Sequence, residues 1–224
     1  MAASLPLFPL NTVLVPGLVL PLHIFEPRYR QLVEELLSLP EDQEREFGVI
    51  AVRDGQDITR DGITALYPVG TATVLRQHER LDDGRFDIVT TGSRRFRLLA
   101  LDDSEPLLRG EVEFLDDVAS DADAVLAARV AREFTVYRSV LGGRLAQDED
   151  VEVDDLPDDP AVLAYLVTAA MVLPADERQE LLAAPDTATR LARARQALTR
   201  ENALISALGA VPAIELTAIH PSVN

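Results

Sequence analysis

Lysine is absent: all 21 basic residues of the 224-residue chain are arginine. A P-loop lysine, a Ser-Lys dyad and a Schiff-base lysine are therefore excluded together. Cysteine is absent too, which removes disulfides, thiolate zinc sites and a cysteine nucleophile and leaves the redox compartment open. Without tryptophan no cage of indole rings is available, although four Tyr and seven Phe remain. Positive charge is outweighed by negative, and a formal net charge of -17 disfavours phosphate backbones, whose binding relies on basic surface displacing counterions. No nucleic-acid partner is expected. The first apolar run has no basic segment before it and is broken by prolines, and no later run reaches about 18 apolar residues. No membrane partner is expected, and the reading is a cytoplasmic protein.

What is present begins with the stretch Leu5 to Leu37. Pro6, Pro9, Pro16 and Pro21 each remove a backbone donor, so the pieces between them are expected as short strands at sheet edges or bends. Phe25 or Glu26 ends the extended part, and Pro27 suits a first helical position. Tyr29, Leu32, Val33, Leu36 and Leu37 then mark one helical face, and Pro40 closes it. Phe47 to Val52 reads as a central strand covered on both faces. Arg53 to Ile63, with two Asp-Gly pairs, reads as a surface loop.

From Gly70 to Phe114 the pattern is a meander of strands, 70–80, 85–92, 94–103 and 107–114, with the strongest hairpin signal at Asp83-Gly84. Phe86, Ile88 and Thr90 alternate with Arg85, Asp87 and Val89; Phe96, Leu98 and Ala100 oppose Arg95 and Arg97. Gly92-Ser93 is read as a turn between two of these strands. The whole suggests a twisted sheet curling into a partly closed barrel. Beyond Asp116 the composition shifts to Ala, Leu and Arg with helical period, which sets a domain boundary at about residues 116–120. Ser120 or Asp121 caps a helix with the stripe Leu126, Val130, Phe134, Tyr137 and Leu141, stopped by Gly142-Gly143. An acidic loop follows at 147–159, without the ordered ligands and glycine of a calcium loop.

Asp159-Pro160 starts a helix that is apolar on nearly every side and is expected inside a bundle. A short helix at 176–184 and a long last helix complete the set. In the last helix Leu191, Ala194, Leu198, Ile205 and Leu208 face inward, Arg190, Arg193 and Arg200 line the outer side, and Gly209 supplies the stop. The tail 210–224 is an arm or disordered.

The residues LPLFPLNTVLVPGLVLPLHIFEPRYRQLV (5–33), FGVIAV (47–52), DGRFDIVTTGSRRFRLL (83–99) and ERQELLAAPDTATRLARARQAL resemble the N-terminal, substrate-binding domain of the Lon ATP-dependent protease, and more closely its stand-alone bacterial relatives. The resemblance covers nearly the whole chain. It implies an α+β fold, an N-terminal PUA-like β pseudo-barrel (1–117) followed by a C-terminal helical bundle (118–209) and the tail. It implies capture of unfolded or apolar peptide segments, or docking on a protease or another protein as an adaptor. No GxxxxGK[ST] is present, and without lysine the family's Ser-Lys dyad cannot assemble. Neither catalysis nor a cofactor is expected.

Candidate site residues cluster at the joint of the opening segment. Phe25, Glu26, Arg28, Tyr29 and Arg95 are candidates for the rim of a peptide groove; as structural groups, Glu26, Arg28 and Arg95 would tie the opening segment to the meander, and Phe25 and Tyr29 would be core. His23 and Glu26 have HxxE spacing, with His78 a further imidazole. No metal is expected there, because a strand end and a helix start aim the two side chains differently. A serine hydrolase is disfavoured by the lack of GxSxG. The Arg94, Arg95, Arg97 cluster alone argues for RNA, against the net charge and without exposed aromatics for stacking.

Overall fold

Alternating burial in the first part of the chain resolves into six strands: β1 (Ala3–Leu10), β2 (Val19–Ile24), β3 (Glu46–Ala51), β4 (Val69–Arg80), β5 (Phe86–Asp102) and β6 (Arg109–Leu115). The computed structural model describes residues 3–117, 121–145 and 156–208. Helices α1 (Pro27–Ser38), α2 (Ile58–Asp61), α3 (Asp121–Leu145), α4 (Pro160–Ala170), α5 (Ala175–Leu182) and α6 (Thr187–Leu208) make it a mixed α+β structure. Two compact units meet in sequence at Asp116 and Asp117. No helix among the described residues is long and apolar enough to cross a membrane.

In the first unit the strand order is β2-β5-β4-β3-β1-β6, and β5 also pairs with β6. The pairings β5-β4-β3-β1-β6-β5 therefore close a ring, and β2 hangs on β5 outside it. β5 reaches both places because it is a single 17-residue strand. The turn expected at Gly92-Ser93 is a bulge instead: Thr73 pairs with Gly92 and Ala72 with Arg94, so Ser93 is the extra residue. Glycine is needed there because the buried segment 13–16 crosses β5, and a Cβ on Gly92 would lie 2.6 Å from the Val15 carbonyl oxygen.

Pro6 and Pro9 sit inside β1, an eight-residue strand with neighbours on both sides, so the expectation of short edge pieces fails here. The strand tolerates them because its halves pair separately, Ala3 to Pro6 with β6 and Leu7 to Leu10 with β3. Neither half needs a donor on both sides. Pro21 does lie on an edge strand, since β2 pairs with β5 alone.

Pro27 opens α1 with Glu26 at the cap, and Tyr29, Leu32, Val33 and Leu36 are its buried face. They join Phe8, Ile24, Phe47, Phe86 and Ile88 in one core cluster. A second cluster fills the ring around Leu7, Ile50, Phe96 and Val112. The expected loop 53–63 contains α2, capped by the Asp57 carboxylate, which accepts from Thr59 N. Phe96 is wholly buried, in space left by Gly48 and Gly70. A Cβ on Gly70 would lie 2.5 Å from Phe96 Cζ and 2.6 Å from the Val49 carbonyl oxygen. Gly70→Ala is therefore expected to cost about 2–3 kcal/mol, since ring and backbone must both shift, and a denaturation midpoint measures it.

In the second unit Val130, Phe134 and Tyr137 of α3, Leu163, Ala164 and Val167 of α4, and Leu191, Ala194 and Leu198 of α6 share one core cluster. The Gly142-Gly143 stop fails: α3 runs on to Leu145, as a helix tolerates glycine at about 1 kcal/mol each. Asp159 caps α4, accepting from Ala161 N and Val162 N, with Pro160 first in the helix. The helix ends at Ala170, and it is not covered all round, for Val162 and Leu166 are exposed. Arg190 is not on an outer side; it is fully buried and paired with Asp117 at 3.0 Å. Arg193 donates to the Glu180 carbonyl oxygen, and Arg200 pairs with Glu177. The expected cap at Ser120, the acidic residues 147–155, Gly209 and the tail lie outside the described residues.

Candidate functional site

The joint between β2 and α1 separates the five candidate residues into two kinds. Tyr29 is buried and stacks on Phe8 with ring centroids 4.1 Å apart. Burial pushes its phenol up to about 12 from an ordinary 10.0, with Arg28 opposing and Glu26 adding to the rise. Arg95 is buried as well, on β5 opposite Thr71. Both are withdrawn from the surface, Tyr29 being 6% and Arg95 1% exposed. Arg95 and Phe96 still alternate: Phe96 enters the ring core, and Arg95 shares the other face with Thr71, whose hydroxyl donates to the Leu14 carbonyl oxygen, so alternation in β5 could not show that this second face is covered as well.

The raised phenol has a measurable consequence. A group whose folded value lies above its unfolded one contributes stability that is present below the unfolded value and lost as pH rises. Here the loss runs from about pH 10 to about pH 12. Tyr29→Phe should flatten this alkaline decline and remove one phenolate that appears near pH 12 in an ultraviolet titration.

Phe25, Glu26 and Arg28 remain at the surface. Arg28 bonds Glu26 at 2.7 Å and lies 4.7 Å above the Tyr29 ring, so this pair ties the helix start to itself and leaves the meander alone. Half-exposed pairs of this kind contribute about 0–1 kcal/mol. Phe25 is 37% exposed, with its ring 6.2 Å from that of His23. His23 Nδ1 is 2.6 Å from an Asp87 carboxylate oxygen, and its Nε2 is 3.0 Å from Arg85 Nη1. A guanidinium only donates, so Nε2 accepts and Nδ1–H donates to Asp87. Thus His23 and Glu26 turn to different partners, and the HxxE spacing draws them to no common point.

Around this joint lies an apolar strip that the candidate residues only border. Leu18 is 38% exposed and Val19 56% exposed, with Pro21 exposed beside them. Leu18 to Phe25 contains no Asp, Glu, Arg or Lys. The signal was available in the sequence as the uncharged run LVLPLHIF, yet an apolar run reads equally as core. A second exposed apolar pair, Val162 and Leu166, lies on α4 in the other unit.

The substrate-binding domain of ATP-dependent protease La (LON) matches residues 4–200. Among curated proteins the chain is 24% identical over 202 residues to Lon protease 1 of Herpetosiphon aurantiacus, covering 89% of the chain and 24% of that protein. It is 31% identical to Lon protease 2 of Sorangium cellulosum, covering 85% of the chain and 24% of that protein. The chain thus spans about a quarter of the length of these relatives. Among solved structures, a Lon N-terminal domain protein from Xanthomonas campestris aligns with a TM-score of 0.60 at 25% identity, covering 88% of this chain and 98% of that one. The N-terminal domain of the Mycobacterium avium complex Lon protease shares the fold, with a TM-score of 0.63 at 18% identity over 90% of this chain and 98% of that one.

Proposed function

The chain belongs to the Lon protease substrate-binding domain family, and from that premise we propose that it is a non-catalytic module that captures exposed apolar segments of unfolded proteins. Residues 1–117 are read as a PUA-like pseudo-barrel, 118–209 as a helical bundle and 210–224 as a tail. The observation that supports capture is the uncharged, exposed strip of Leu18, Val19, Pro21 and Phe25. Such a patch in the open is costly to leave unless it is used. The absence of lysine removes the family's own protease dyad, which supports a binding role without chemistry. A peptide array drawn from unfolded model proteins tests the reading: apolar segments should be retained over polar ones, and equal retention overturns it.

A second reading, an adaptor docking on a folded partner such as an ATP-dependent protease, is favoured by the exposed pair Val162 and Leu166 on α4. Under that reading a folded partner co-purifies in fixed stoichiometry, and Val162→Asp releases it without changing peptide capture.

A further inference from the structure

Among the described residues of the first unit, the open edges of β4 and β2 are built differently. Beyond Val74, β4 pairs on one side only. That edge carries Arg76, Glu79 and Arg80, all exposed, and a register irregularity between Leu75 and Gln77. Charges and bulges are how proteins keep an edge from pairing. The edge of β2 has neither: VLPLHI contains no Asp, Glu or Arg, and its register with β5 is unbroken from Val19 to Ile24.

Backbone alternation fixes which groups face outward. Gly92 N donates to the Leu18 carbonyl oxygen at 3.0 Å, so the groups of Leu18, Leu20, Leu22 and Ile24 turn toward β5. Those of Val19, Pro21 and His23 turn to the open side. Pro21 therefore sits where its missing donor costs β2 nothing, and it leaves the amides of Val19 and His23 and three carbonyls to bond another strand. Side chains alternate with the same period, and on the solvent face β2 shows Val19, Pro21 and His23.

We propose that the open edge of β2 is where the peptide binds, as an added antiparallel or parallel strand, with apolar residues beside Val19 and Phe25 and an Arg or Lys near Asp87. This rests on the capture reading above and names its site and peptide class. The basic residue follows from charge. Asp87 stands directly opposite Glu79 in the β4–β5 register, and both are exposed. Two like charges facing each other across strands are destabilising until a cation joins them. Among the described residues neither carboxylate is ion-paired with an arginine, and the side-chain partner of Asp87 is His23 Nδ1. With strands about 4.8 Å apart, Asp87 lies about 10 Å from an added strand, within reach of an arginine side chain laid across His23. A second copy of the chain is the wrong occupant, because it brings its own Asp87 and Glu79 and a net charge of -17.

The test uses the full chain and a fluorescein-labelled eight-residue peptide with Val and Ser alternating and one Arg. Two further versions carry N-methyl groups on alternate amides, in one phase or the other. Anisotropy should show one phase weakening binding about tenfold or more and the other little, since only alternate amides face the neighbouring strand. The Val19 and His23 amide resonances should move on titration, and Asp87→Asn should weaken this peptide but not a version with Ser in place of its Arg. Equal effects of the two methylated phases, or shifts confined elsewhere, overturn strand addition while the parent peptide's binding keeps capture standing. Failure of the peptide together with failure to retain any unfolded protein overturns both. A dimer in sedimentation that peptide does not dissociate overturns the assignment in favour of self-pairing.

Discussion

Replacing Arg190 by leucine is expected to lower the stability of the helical unit by about 3–5 kcal/mol, the cost of breaking a buried ion pair from one side. Arg190 is wholly buried on α6, with Nη2 3.0 Å from an Asp117 carboxylate oxygen. Its Nε donates to the Leu181 carbonyl oxygen at 3.1 Å, and its guanidinium lies 4.4 Å above the Tyr165 ring. The Tyr165 hydroxyl in turn donates to Asp117. Leucine would satisfy none of these acceptors and would leave the carboxylate, 20% exposed, without this cation. Arg190→Lys keeps the charge but not the planar fork, so it should fall between the two. Far-UV circular dichroism against urea, following the helical signal, checks this; a loss under about 1 kcal/mol would place the pair among surface bridges.

Phe96→Ala should cost about 3–5 kcal/mol by opening a cavity at the centre of the ring of strands. Phe96 is 0% exposed and touches the space above Gly48 and Gly70. Glycine at those positions and the ring at Phe96 form one fitted arrangement, which a double-mutant cycle exposes. In a Phe96→Leu background the smaller side chain leaves room, so Gly70→Ala should cost measurably less than it does in the parent. Additive costs would mean that the Val49 carbonyl alone, and not the ring, excludes the methyl group.

Local signals were legible where the chain itself supplies the partner. Pro27 after Glu26 and Pro160 after Asp159 start helices because a fixed φ and a missing donor need no tertiary context. Asp83-Gly84 closes a hairpin by its own backbone bonds, Leu81 N to Arg85 O and Gly84 N to Leu81 O. Signals failed where a distant segment decides. Gly92 reads as a turn, yet it is glycine because Val15 and Pro16 cross it from far away in sequence. Pro6 and Pro9 read as strand breakers, yet β1 shares its pairing between β6 and β3.

Among the candidate residues the same division holds. Phe25, Glu26 and Arg28 stay at the surface, whereas Tyr29 is withdrawn by the Phe8 stack and Arg95 lies buried on the face it shares with Thr71, which bonds the distant Leu14. Arg190 was unreadable for a related reason. Its helical position next to Leu191 looked outward until Asp117, 73 residues earlier in numbering, supplied a counter-charge. A polar residue's burial depends on its partner, and hydrophobic period cannot see partners.

The way β1 shares its pairing also sets a timetable. Of the six described strands it is made before the others, yet its first half bonds only to β6, Ala3 opposite Val112. At about 5–20 residues per second, a translating ribosome leaves that apolar, proline-bearing half without its partner for roughly 5–20 seconds. Its second half is relieved sooner, when β3 emerges with Leu7 opposite Gly48. During that interval the nascent chain carries an unpaired apolar strand of the kind that the finished molecule is proposed to capture from others.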